Sequence, residues 1–166
     1  MDTAYYKNYL GLALPDDEMR RIASPKLELG FHITAKFFET GVVIGTLAPL
    51  VLYGLVRRNE LSVIQRCVTS GGVRGGLFGL IAGPSVAYAF IHKKNLSDDD
   101  CFDRCYRLRY NFNQVRADRS FDMGLVTGAL VFAPAGQMLF GAFLFSTCFI
   151  IATGIMNTMG VFKEKK

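Results

Sequence analysis

The sequence predicts an all-α membrane protein: four short transmembrane helices packed through small-residue ridges, with an N-terminal interfacial segment. Three observations predict it. Residues Met123 to Phe162 are forty consecutive positions without Asp, Glu, Lys or Arg. Two shorter uncharged runs, Thr40 to Val56 and Gly75 to His92, are each closed by a basic pair, Arg57-Arg58 and Lys93-Lys94. Glycines also recur at four-residue spacing along three of the four predicted spans. The chain is 51% hydrophobic and 20% charged, where soluble domains carry about a quarter charged residues. This composition excludes a disordered chain and a disulfide-stapled mini-protein, and argues against an ordinary soluble enzyme.

Residues 1–35 read as a polar, aromatic-rich segment whose Tyr5, Tyr6 and Tyr9 suit a headgroup interface or a partner surface. It resembles neither a secretory signal nor an acid-poor presequence, because Asp2, Asp16, Asp17 and Glu18 interrupt it. Pro15-Asp16-Asp17-Glu18 predicts a helix start with a carboxylate available as cap, and Pro25 is expected to end that helix. The transmembrane domain is expected over 36–160. Its first span is about 36–56, with Lys36 reaching to the interface and Pro49 predicting a kink. The second is about 70–92, with Arg74 a turn inside and Pro84 a bend. The segment 93–119 reads as a charged, partly helical, solvated loop. As one helix the forty-residue run would reach about 60 Å, twice a bilayer core of roughly 30 Å. Ala133-Pro134-Ala135-Gly136 is the natural break, giving spans of about 120–133 and 137–160 before a basic tail, 161–166. Four spans put both termini on one side.

Lipid tails are as apolar as leucine, so helices in a membrane associate by close packing and hydrogen bonds rather than by burial. Gly41 with Gly45, Gly72 with Gly76, the ridge Gly75, Gly79 and Gly83, and Gly124 with Gly128 are the expected helix-packing residues. Ala142 with Ser146 is a weaker pair. Net charge is +5 with a pI near 9.1. The basic residues flank apolar runs, which points to anionic lipid and not nucleic acid. Arg57, Arg58, Arg74, Lys93 and Lys94 are the anionic-lipid candidates. Arg74 has three readings: snorkelling, a salt bridge to Asp122 or Glu39, or a lipid phosphate.

No catalytic, cofactor or metal site is expected. His32 and His92 read as interface residues. Cys101 and Cys105 lack two further metal ligands nearby and are expected as free thiols or paired with another cysteine, and Cys148 as a small buried hydrophobe. Gly71-Gly72-Val73-Arg74-Gly75-Gly76 is glycine-rich, but it precedes a span, so packing is favoured over phosphate binding.

Several segments, taken in order, resemble the mitochondrial inner-membrane import translocase family. Lys36-Phe37-Phe38-Glu39-Thr40-Gly41, Gly45 and Tyr53-Gly54-Leu55 are similar to its first span. Ser70 to Phe78 resembles the start of its second, Asp118-Arg119-Ser120-Phe121 with Gly124 to Ala129 its third, and Ala133 to Gly136 its tight turn into the fourth. The amino end, Tyr6-Lys7-Asn8-Tyr9 then Pro15-Asp16, is most like the family's accessory subunit of respiratory complex I. The long loop before Arg116 departs from both branches. The resemblance implies a non-catalytic accessory subunit that braces the membrane arm of NADH:ubiquinone oxidoreductase. Its expected partners are other membrane-arm subunits, complex III in supercomplexes, and phospholipids such as cardiolipin. The alternative is a component of an import translocase, whose acidic cavity this chain supplies with few carboxylates. A small transporter would need a cluster of intramembrane carboxylates or histidines that the spans lack. Fifteen of the nineteen lysines and arginines lie on the side of the termini, which the positive-inside rule assigns to the matrix. The family implies the intermembrane space, and that reading is the expectation.

Overall fold

A computed structural model describes residues 3–56 and 60–162. Among them there are helices and no strands. Two short helices, α1 (Thr3–Tyr9) and α2 (Asp16–Met19), precede α3 (Pro25–Pro49). Pro25 starts α3 instead of ending a helix: the first helical position has no hydrogen bond for proline to lose, and its fixed φ suits the turn. Pro49 lies where a kink is expected. Lacking an N–H and displacing the carbonyl four residues back, it gives way to a seven-residue π-helix, Leu50–Val56. Helix α4 (Leu61–Lys93) begins well before the expected span and continues through Pro84 without a break.

The segment expected as a solvated loop is largely α5 (Asp98–Arg109) and the first turns of α6 (Phe112–Phe132). A capping box builds α5: the Asp100 amide donates to Ser97 Oγ at 3.1 Å, and the Ser97 amide donates to the Asp100 carboxylate at 3.0 Å. Acids fill its first turn and Arg107 and Arg109 its last, matching the helix dipole. One face is apolar, and it buries Cys101 and Cys105 against Ile22 and Leu29. The charges were legible in the sequence, but the stripe beneath them was not. A 3₁₀ turn, Ala133–Ala135, and Gly136 at φ +70° make the expected break before α7 (Met138–Thr158).

Helices α3 and α4 form one antiparallel hairpin, and α6 and α7 a second. Each is closed by glycine meeting backbone: Gly41 on Gly75 and Gly45 on Gly71 in the first, Gly128 on Gly141 and Gly124 on Ser146 in the second. The hairpins meet through side chains. Phe38 and Phe121 pack edge-to-face at 6.1 Å, and Phe143 of α7 covers Gly72 of α4. The first helices of the two hairpins repeat one pattern: Phe38-Glu39-x-Gly41-Val42-Val43-x-Gly45-x-Leu47 answers Phe121-Asp122-x-Gly124-Leu125-Val126-x-Gly128-x-Leu130. Helices α1, α2 and α5 gather at the end where α3 and α6 begin.

Three helical segments, Pro25–Leu55, Leu61–Lys93 and Met138–Thr158, are long and apolar enough to cross a membrane. Helix α6, its later part expected as the third span, is not. Its first half carries Arg116, Asp118, Arg119 and Asp122, and only its second half is uncharged.

Candidate functional site

Every glycine assigned to packing lies in a helix contact. A methyl group on Gly41, Gly45, Gly75, Gly79, Gly83, Gly124 or Gly128 would fall within 3.0 Å of the facing helix's backbone. Gly72 meets the Phe143 ring, and Gly76 meets Phe38 and Val42. Close approach of backbones maximises dispersion contact where water supplies no drive. Large apolar side chains point outward instead; Ile81 is 73% exposed and Phe78 69%. The same inversion corrects Cys148. The inner face of α7 carries Phe143, Ser146 and Thr147, so Cys148 is exposed, while Cys101 and Cys105 are buried.

The lipid candidates are scattered. Arg57, Arg58 and the tail 163–166 lie outside the described residues. Lys93 and Lys94 end α4, with Lys94 Nζ 4.9 Å from the Phe90 ring centre. Arg74 is exposed in the middle of α4, and neither salt bridge weighed for it forms: Glu39 pairs with Lys36, and Asp122 accepts from Tyr9. Helix α4 turns Arg74 away from both acids while Gly75 faces α3.

The charges that do converge sit at the end capped by α1, α2 and α5. Arg109 and Glu28, both almost wholly buried, form a two-pronged pair. Arg109 Nε donates to Glu28 Oε1 at 2.8 Å and Nη2 to Oε2 at 2.7 Å. Arg109 Nη1 donates to the carbonyls of Met19 and Arg21, and the Arg109 carbonyl accepts from Asn8 Nδ2. One arginine thus ties α5 to α1, α2, the α2–α3 link and α3. A second cluster joins the hairpins: Lys36 Nζ bonds Glu39 at 2.6 Å and also Asp118, which accepts from Gln114 Nε2 at 2.7 Å. Between the clusters lies a cavity of about 20 Å³, room for one water, lined by Tyr5, His32, Glu28 and Asp118 among others. Burial, with the Asp118 carboxylate nearby, pushes the Tyr5 hydroxyl up to about 12. Burial and the bond to Asp122 raise Tyr9. Sequence reasoning assigned neither cluster. Arg109 and Glu28 are 81 positions apart, and no local spacing signals a pair at that distance.

Helix α2 docks on α5 through Asp16. Its carboxylate does not cap the helix: Pro15 is the N-cap residue, with no side-chain bond. Asp16 instead accepts from Tyr110, Arg20 and Tyr106, and these bonds hold it below the usual carboxylate range. A lowered folded-state value means stability present above the free carboxylate's pKa and lost as pH falls through the folded value. Asp16→Asn should therefore speed hydrogen exchange of α2 amides at neutral pH, and the difference from wild type should shrink as pH falls below the free carboxylate's pKa. A difference that stays undiminished there would contradict this account.

Burial pushes the Cys105 thiol up to about 12, so little reactive thiolate exists at neutral pH. Maleimide should spare Cys101 and Cys105 in the folded protein and modify both once denaturant is added. Peptide mass spectrometry reads this directly, and a Cys105 rate that denaturant leaves unchanged would contradict the packing of α5.

Compared with curated proteins, the chain has no match. A family match covers residues 5–149, from α1 into α7, and so contains both glycine seams and both charge clusters. The chain belongs to the family described as protein of unknown function (DUF1757).

Proposed function

We propose that the chain is a non-catalytic accessory subunit of mitochondrial respiratory complex I, a four-span scaffold of the inner membrane with both termini in the intermembrane space. In this reading α6 is the third of the four spans, its charged first half shielded by α1, α3 and α7. The observation that carries the scaffold reading is the pair of glycine seams, in which backbone meets backbone across each pair of helices. The ordered resemblance from Lys36 to Gly160 and the Tyr6-to-Asp16 segment supply the complex I assignment. The occupancy of the acids favours it over an import translocase: Glu39 and Asp118 are engaged by Lys36, Glu28 by Arg109 and Asp122 by Tyr9. Arg109 neutralises Glu28 and Lys36 offsets one of its two partners, which leaves little acidic charge to attract a basic presequence. The outward apolar faces would meet neighbouring membrane-arm subunits, complex III in supercomplexes, and lipid such as cardiolipin.

Depletion should lower the amount of assembled complex I on blue-native gels while NADH oxidation per remaining complex stays constant. An intact complex I with slowed import of a presequence-bearing precursor would transfer the assignment to the translocase.

A further inference from the structure

We propose that the groove between the α1–α2 link and the first turns of α6 holds the phosphate of an anionic phospholipid through Arg116 and Arg119. The proposal rests on the membrane reading above but concerns a site that reading does not assign. The groove encloses about 1100 Å³, the scale of a small-molecule pocket or larger. Leu12, Leu14, Phe112 and Phe162 give it apolar walls. Arg116 and Arg119 are one turn apart on α6, half-buried, and both line it.

What sets these two arginines apart is how they are held. Arg116 Nη1 donates to Asn157 Oδ1 at 2.8 Å and to Asn113 Oδ1 at 3.2 Å, and its guanidinium lies 4.1 Å from the Phe162 ring centre. Arg119 Nε donates to the Tyr9 carbonyl at 2.7 Å and Nη2 to the Asn8 carbonyl at 3.4 Å. Gly11, at φ +84°, leaves the room that the Arg119 guanidinium fills. Among the described residues neither arginine reaches a carboxylate, whereas Arg20, Arg107 and Arg109 at the same end each pair with one. Neutral acceptors fix geometry without cancelling charge. Two oriented, uncompensated positive charges in a walled groove favour an anion, and the guanidinium fork suits phosphate oxygens. The walls choose among anions. A free phosphate gains nothing from Leu12, Leu14 and Phe112, whereas an acyl chain does. Asn157, which positions Arg116, sits at the end of apolar α7, the level at which a lipid headgroup would lie.

The test uses the full chain purified in detergent, with thermal unfolding followed after adding phosphatidylglycerol, cardiolipin, phosphatidylcholine or inorganic phosphate. The two anionic lipids should raise Tm, and the other two should not. The double variant Arg116→Gln/Arg119→Gln should lose at least half of that shift, and Arg107→Gln should keep all of it. Leu12→Glu places a negative charge in a wall that is already 57% exposed; it should fold normally and also lose the shift, whatever the fate of the double variant. An equal shift with phosphatidylcholine, an equal shift with inorganic phosphate, or a full shift in Leu12→Glu each overturns the proposal. A chain that is soluble without detergent would instead overturn the membrane reading, which flotation of wild-type protein with vesicles reports separately.

Discussion

Alanine in place of Gly41 or Gly75 is expected to unfold the first hairpin, although the change adds a single methyl group. Each glycine's missing Cβ would sit against the other's carbonyl, closer than any real Cβ contact allows. The obstruction is backbone on backbone, so no rotamer change relieves it and the helices must separate. Overpacking usually costs about 1–3 kcal/mol; with nothing flexible to yield, the upper end or beyond is expected, together with the dispersion attraction forfeited along the rest of the seam. Gly128→Ala and Gly141→Ala should do the same to the second hairpin. Gly30→Ala and Gly154→Ala are the controls. The nearest atom to a methyl on Gly30 is Ala87 Cβ at 4.0 Å, and nothing lies within 4 Å of one on Gly154. These two should unfold no earlier than wild type, since alanine is the better helix former by about 1 kcal/mol. Circular dichroism melts and gel filtration in detergent separate the groups. If Gly41→Ala melts with Gly30→Ala, the seam does not hold the hairpin.

The second large effect is expected at Arg109. Arg109→Met leaves the buried Glu28 carboxylate without its partner and strands the carbonyls of Met19 and Arg21. Removing one member of a buried pair costs about 3–5 kcal/mol, because the remaining charge stays desolvated. The loss should appear first as release of α1 and α2, read by faster tryptic cleavage after Arg20 and Arg21. Replacing both partners, Glu28→Met with Arg109→Met, removes the stranded charge and should recover much of the loss. Arg109→Lys should not, since an ammonium cannot make the two-pronged contact and still reach both carbonyls. A double variant as protease-sensitive as the single one would show that the pair is specifically required and not merely tolerated.

The parts of this fold that were legible in the sequence are those with a local signature. The uncharged runs mark the helices, the spacing of Gly41, Gly45, Gly124 and Gly128 marks the seams, and Ala133 to Gly136 marks the turn. What was not legible depends on partners far apart in the chain. The run 98–109 looks solvated because its charges outnumber its apolar residues, yet Cys101 and Cys105 stack on one side and find Ile22 and Leu29. Pro25 reads as a breaker when its position within a helix is unknown, and as an initiator once it falls at the first turn. Cys148 reads as buried by the rule for water-soluble proteins. Here Ser146 and Thr147 go inside and Cys148 outside, the inverted order that the membrane reading entails.

The two hairpins are each locked internally by main-chain contact, but they are joined to one another by side chains: rings, the Lys36–Asp118 link and the hydrogen bond from Gln137 to Gln65. Mechanical compliance should therefore concentrate in that joint. A neighbour pressing on either half would move it as a stiff plank, pivoting beside Phe38 and Phe121, so the chain could accommodate shifts in its surroundings without loosening its own helices.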